Sequence, residues 1–431
     1  MKNQIFFFNI LPSWIIILMP IFLISGPFLS DLGVSLIAII FLINTFKNNL
    51  YKYYNNNYFK LFVIFCLILI FSSLLSDNVL ISSKNSLFYF RFGIFSLCFW
   101  YLLERNDFLI RYLFFSILFC YSSLIIDGYF QYFTGENLFG HTLYDNYRVS
   151  SFFGSELILG SYIARFFPIF FGLFVLLNET KKNKLMLFLV TVIFILSEGL
   201  IFVSGERLAL FFMNLSAIYI IFMIKDYKIY RLWTYIISLC LIVILLIAFP
   251  NSKERLVDQT INDFTRMNHS DKGQHKLYIF SKPHNDMYIT AYRIFLDNKF
   301  FGVGPRQFRN TCDKFSVSQY SCETHPHHTY MELLSESGIF AFLIVAILFI
   351  SLIHMSIKHF IFKFIYRKKG LLNDFEICLM SAIIISIWPF APSGSFFNNW
   401  MSIIYYFPVG LLLWQRSKYK NSTIIKVNQG E

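Results

Sequence analysis

The chain has 431 residues, of which 56% are hydrophobic and 14% charged, with 55 Phe and 26 Tyr. A composition this apolar excludes a soluble globular protein of the same length and reads as an all-α polytopic membrane protein. The net charge of +12 does not point to nucleic acid: Lys and Arg lie in short clusters between apolar runs, where they orient helices against an anionic leaflet, and no RNA- or DNA-binding motif accompanies them.

The first apolar run, 6–29, is too long for a signal peptide and lacks a small-residue cleavage site, so it reads as a retained first helix. With about 20 apolar residues per span, about twelve transmembrane helices are expected, near 8–28, 31–46, 61–76, 86–103, 108–132, 157–177, 185–204, 207–224, 233–249, 338–357, 374–390 and 397–414. With the N-terminus in the cytoplasm, the basic loops fall on one side: Lys47, Lys52 and Lys60; Lys181, Lys182 and Lys184; Lys225, Lys228 and Arg231; Lys358, Lys363, Arg367, Lys368 and Lys369; and Arg416, Lys418 and Lys420. This positive-inside pattern supports an even number of spans. The expected organisation is nine helices over 1–250, a large periplasmic loop over 251–337, three helices over 338–415 and a cytoplasmic tail over 416–431. No cytoplasmic segment could bind a nucleotide, so a transferase of this shape needs a donor activated in the membrane.

The long polar loop concentrates the chemistry, with Glu254, Arg255, Asp258, Arg266, His269, His275, His284, Arg293, Arg306 and Arg309. An amphipathic helix over 288–298 would carry Arg293, and FFGVGPRQF at 300–308 reads as a Gly-Pro turn. Five cysteines lie in apolar runs, where a thiol acts as a small hydrophobe. Cys312 and Cys322 share the polar loop, so a disulfide is the favoured reading in an oxidising compartment, and a metal site with His325 and His327 is the alternative.

The loop ends in CETHPHHTYMELLSESG at 322–338. Thr324 is positioned to cap a helix with Pro326 in its first turn, continuing through Glu332 and Glu336 into the bilayer. Helical spacing then puts His327 with Met331, Leu334 and Gly338, and His328 with Glu332 and Glu336 on a wetter face. These histidines fit either an interfacial polar cluster or a catalytic site. Arg207, in FVSGERLALFF at 202–212, either pairs with Glu198 or Glu206 to close a hairpin or faces an anionic group at the outer surface, which guanidinium binds bidentately. Arg148, in YRVSSFFGSELILG at 147–160, sits similarly at the outer end of the sixth helix. Arg165, deeper in that helix, would pair with a carboxylate or carbonyls. Together these residues suggest a site with arginines for a pyrophosphate, a histidine able to take a proton, and aromatic walls for sugars.

HPHHTYMELLSESG, with FGVGPRQF, the SGERLAL hairpin and RVSSFFGSELILG, resembles the O-antigen ligase and O-antigen polymerase superfamily of bacterial envelope proteins. The resemblance implies a C-type membrane glycosyltransferase, metal-independent and inverting, acting at the periplasmic face of the inner membrane without a cofactor. Its donor would be an undecaprenyl-pyrophosphate-linked glycan, and its acceptor either the lipid A core, as in a ligase, or a lipid-linked glycan, as in a polymerase. Carried over, His327 is the catalytic base with His325 beside it. Arg207 matches the family's hairpin arginine and Arg293 its loop arginine that holds the pyrophosphate; beside them Arg148 is expected on the pyrophosphate, with His328, Tyr330 and Glu332 in support. The sequence departs at His328, where the family commonly has Asn. An imidazole replaces one hydrogen bond of that amide but not its paired donor and acceptor. Two other classes are alternatives: a flippase, which predicts ionisable residues in mid-helix and internal symmetry, and a zinc hydrolase using His325, His327 and Glu332, which needs three converging ligands.

Overall fold

The computed structural model describes residues 2–179, 183–265, 280–368 and 370–428. Lys181, Lys182, Arg266, His269, His275, Lys369 and the last three residues of the expected tail lie outside the described residues. Apart from two isolated bridges, Glu136 with Thr142 and Tyr144 with Arg148, regular structure among the described residues is helical.

All twelve expected segments are helical. They are α1 (Phe6–Ser25), α2 (Pro27–Asn48), α3 (Asn57–Leu74), α4 (Val79–Arg105, turning at Phe88 and Tyr89), α5 (Phe108–Thr134), α6 (Leu159–Asn178), α7 (Lys184–Ser204), α8 (Arg207–Met223) and α9 (Lys228–Ala248). The loop then carries α10 (Lys282–Asp297), followed by α11 (Thr329–Ile365), α12 (Asp374–Ser386) and α13 (Asn399–Asn428). Among the described residues, nine helices are long and apolar enough to cross a membrane. α8 and α12 are shorter, at 17 and 13 residues. α12 stops at Ser386 where the apolar run predicts 390, and α13 continues through the stretch expected as a tail as far as Asn428.

Burial explains the arrangement. α6 is apolar on every side and almost wholly buried, as a helix of that pattern must be when protein surrounds it. It packs against α5, α7, α8 and α12. α9 is equally apolar but mostly exposed, leaning on α7, which suits a helix whose other face meets lipid. Helix ends in such a bundle need partners for their free carbonyls. At the basic end, Arg231 supplies them for α8, its Nη2 donating to Ile224 O at 2.8 Å and its Nε to Asp226 O at 2.8 Å, with Ile220 O as a third acceptor.

The helix expected to run unbroken from Thr324 does not form. Residues 324–328 are irregular, and α11 begins at Thr329 with His328 as its cap, Nδ1 accepting from Tyr330 N at 3.2 Å and Met331 N at 3.4 Å. His327 adopts φ +50°, outside any right-handed helix, so the face shared with Met331 and Leu334 does not exist. α11 breaks again at Gly338, where φ is +72° and a β-carbon would run into the Phe300 carbonyl. That break docks the 299–304 turn: Ile339 N donates to Lys299 O at 2.9 Å and Gly304 N to Glu336 O at 2.8 Å. Gly338→Ala should therefore cost about 1–3 kcal/mol in backbone strain alone, read as a lower midpoint of thermal unfolding in detergent; an unchanged midpoint would contradict this role for the break.

Candidate functional site

The two-residue connection between α7 and α8 gathers one wall of the site. Gly205 takes φ +66°, turning the chain so that Arg207 opens α8. Arg148 Nε donates to Ser204 O at 3.0 Å and Arg255 Nε to Gly205 O at 3.1 Å. Glu206 accepts from Gly160 N at 2.7 Å and Ser161 N at 3.0 Å, closing the first turn of α6. Gly160 makes this approach possible, since a β-carbon there would stand 2.8 Å from Ala209 Cβ. Arg207 Nη1 donates to Asp263 Oδ2 at 2.8 Å and Thr260 Oγ1 at 3.2 Å. The Arg148 segment is fixed from α5: Gln131 Oε1 accepts from Ser150 N at 3.0 Å and Ser151 N at 2.7 Å.

Two buried glutamates of α11 build the opposite wall. Glu336 accepts from Arg306 N at 2.6 Å and Phe308 N at 2.9 Å, folding the Gly-Pro turn back and presenting Arg306 and Arg309. Glu332 accepts from Ser395 Oγ at 2.6 Å and Phe396 N at 2.7 Å, holding the segment that follows α12. The Cys312–Cys322 disulfide, Cα atoms 5.4 Å apart, closes the loop between Arg309 and the histidines.

These walls enclose a cavity of about 810 Å³ lined by Arg148, Arg165, Arg207, Arg255, Arg306 and Arg309, with Glu156, Glu206 and Asp263 as its carboxylates and Phe211, Phe212 and Trp400 among its aromatic groups. Among the described residues only Arg207 of the six makes an ion pair with a carboxylate. Arg165 bonds to Ser161, its own helix, as carbonyl and hydroxyl partner, and lies 5.2 Å from the Phe212 ring centre. Arg306 Nη2 donates to Phe397 O at 2.8 Å. Burial, then the neighbouring Arg255, pulls the Arg148 pKa down, and burial, then Arg309, does the same to Arg306. Burial pushes Glu206 up to about 7 against the opposing pull of its two amides, Arg148 and Arg165.

His325 and His284 line the cavity. The His325 and His327 rings are 4.0 Å apart, and His284 lies 5.9 Å from His327. His325 Nε2 is buried without a hydrogen bond. Burial and the adjacent His327 push His325 down to about 3; burial, His327 and Arg207 push His284 down to about 4; and burial lowers His327 and His328. Near neutral pH these rings are uncharged, and those of His284, His325 and His327 are potential proton acceptors.

The expected site residues thus separate. Arg148, Arg207 and His325 line the cavity, with His327 stacked against His325. Arg293 does not: it is on the exposed side of α10, donating to Phe315 O at 3.4 Å. His328, Tyr330 and Glu332 are buried behind the site; His328 Nε2 contacts Pro389 O at 3.1 Å and Tyr330 donates to Ile387 O at 2.8 Å. Arg207 is paired with neither Glu198 nor Glu206. Arg165, Arg255, Arg306, Arg309 and His284 join the site through tertiary folding; the sequence marked Arg165 in the sixth helix and the other four only as members of the long polar loop. The ligands of a zinc hydrolase are not assembled from His325, His327 and Glu332, because both Glu332 oxygens are bonded to 395–396. Among the described residues the one group spaced to hold a metal is Cys312, Asp313 and Cys322, whose thiols form the disulfide.

Residues 190–346 match the family model described as O-antigen ligase. No curated protein matches the chain. The matched segment runs from α7 through Arg207, Arg255, Arg306 and the histidines into α11.

Glu336→Ala leaves the Arg306 and Phe308 amides without acceptors and should cost about 1–3 kcal/mol for each buried group left unmet. The check is thermal unfolding of purified protein; a loss below that range would mean the turn does not depend on this carboxylate.

Proposed function

We propose that this multi-pass membrane protein is a glycosyltransferase of O-antigen ligase type, a reading supported by the match of residues 190–346 to the O-antigen ligase family model. It moves a glycan from undecaprenyl pyrophosphate to a sugar hydroxyl of the lipid A core at the periplasmic face of the bacterial inner membrane. One observation supports this reading above others: six arginines face one cavity, and among the described residues a single carboxylate ion pair engages them, beside neutral imidazoles.

Charge on the leaving group rises as the bond from the anomeric carbon to the pyrophosphate breaks, and fixed guanidinium groups stabilise that charge more than they stabilise bound donor. Arg148 and Arg255 on one side, and Arg306 and Arg309 on the other, are suited to this because among the described residues no carboxylate pairs with them, and Arg207 bonds to Asp263 and Thr260 through Nη1, leaving its other edge to phosphate. On the face of the sugar opposite the pyrophosphate, the acceptor oxygen forms the new bond and gives its proton to the His325–His327 pair, inverting the anomeric centre. Arginines supply the positive field, so no metal is required. The same arrangement serves a polymerase if the acceptor is a lipid-linked glycan, and product identity separates the two.

With undecaprenyl-pyrophosphate glycan and lipid A core, His325→Ala and His327→Ala should each lower kcat by about 10²–10⁴, and Arg207→Ala by about 10²–10³. Arg293→Ala should change little, and chelator nothing. Glycan on the core acceptor supports the ligase; lengthened lipid-linked glycan without core indicates the polymerase; neither product from any donor overturns the transferase reading. The pH dependence has a defined sign. A base must be unprotonated, and its depressed pKa keeps it so well below pH 6.5, so kcat/KM should hold as pH falls to 6 and fail only at lower pH. Bound pyrophosphate adds negative charge that raises the imidazole pKa, so the acid limb of kcat should lie above that of kcat/KM. An acid limb of kcat/KM above pH 6.5 would contradict the described environment.

A further inference from the structure

At the basic end of the bundle, opposite the arginine cavity, a second cavity of about 850 Å³ opens between α11, the 371–376 connection and α13. Its polar lining is Ser351, His354, Lys358 and Arg416, with Glu376 as its one carboxylate. Glu376 is already occupied: Oε2 accepts from Asn373 N at 3.0 Å, completing the cap of α12. Its remaining oxygen lies 3.5 Å from Arg416 Nε, a long pair with a guanidinium that is 41% exposed. Among the described residues Arg416 Nη2 meets the Met355 sulfur, a weak acceptor. Lys358 is exposed, and among the described residues no ion pair or hydrogen bond from its ammonium is formed. Two cations with spare donors therefore face one space whose one carboxylate is already engaged. The rest of the lining is apolar, and Ile350 and Leu371 stand at 64% and 50% exposure.

A ligand that satisfies both halves carries a phosphate diester on an acyl-chain body. We propose that this cavity binds the headgroup of an anionic phospholipid, phosphate between Lys358 and Arg416 and chains along Ile350 and Leu371. Basic pockets between helices at the charged face of a membrane protein select such lipids by charge over zwitterionic ones. A free phosphate would meet the cations but leave the apolar wall unused. This inference depends on the membrane fold and not on the transferase reading.

The test is native mass spectrometry of the full-length protein in detergent, given dioleoyl phosphatidylglycerol, dioleoyl phosphatidylethanolamine, or glycerol phosphate alone. One phosphatidylglycerol should be retained per chain, with phosphatidylethanolamine retained at least tenfold less. Lys358→Gln, exposed and unbonded, and Arg416→Gln should each reduce retention severalfold, and glycerol phosphate should not displace the lipid. Equal retention of both lipids, undiminished retention in Lys358→Gln, or displacement by glycerol phosphate would overturn the proposal. The Lys358 variant keeps the test decisive if loss of Arg416 disturbs α13.

Discussion

Like charges brought together at the mouth of a membrane protein repel one another, and the structure depends on how that repulsion is held in check. Six guanidinium groups share one cavity, yet among the described residues one carboxylate pairs with one of them. The others are oriented chiefly by backbone carbonyls: Ser204 for Arg148, Gly205 for Arg255, Phe397 for Arg306. A carbonyl fixes direction without cancelling charge. The field is left for a ligand to neutralise; burial first, and then the neighbouring arginine, lowers the pKa of Arg148 and Arg306.

The carboxylates of the site work on the backbone. Glu206, Glu332 and Glu336 each accept two donors, at least one of them a main-chain amide, and none forms an ion pair among the described residues. Each ties a turn that carries or faces cavity residues: the start of α6, the segment after α12, and the 304–308 turn. Buried carboxylates used this way set the spacing between arginines without quenching them. A guanidinium suits such a site better than an ammonium, because its planar fork can hold a carbonyl with one edge and offer the other to phosphate.

The apolar runs were legible because a span needs about 20 apolar residues whatever its neighbours do, and all twelve segments are helices. The Arg207 hairpin and the paired Cys312 and Cys322 were legible for local reasons, a Gly-bearing break between two apolar runs and two thiols in one polar loop. The histidine segment was misread as a continuous helix, since Pro326 and Thr324 favour a helix start that His327, at φ +50°, rules out. Arg293 had the right charge on the right kind of helix, but α10 turns its buried face, with Ala291 and Ile294, toward the core and leaves the arginine outside. Arg255, Arg306 and Arg309 could not be ranked in advance, because their place in the cavity depends on contacts between segments far apart in the chain.

The central claim is that the arginine cavity receives a lipid-linked pyrophosphate. A cryo-EM structure of the protein with a non-hydrolysable undecaprenyl-pyrophosphate sugar tests it most directly. The account predicts pyrophosphate density bounded by Arg148, Arg207, Arg255 and Arg306, with the sugar turned toward His325. Pyrophosphate held outside this cavity, beside Arg293 for example, would contradict it.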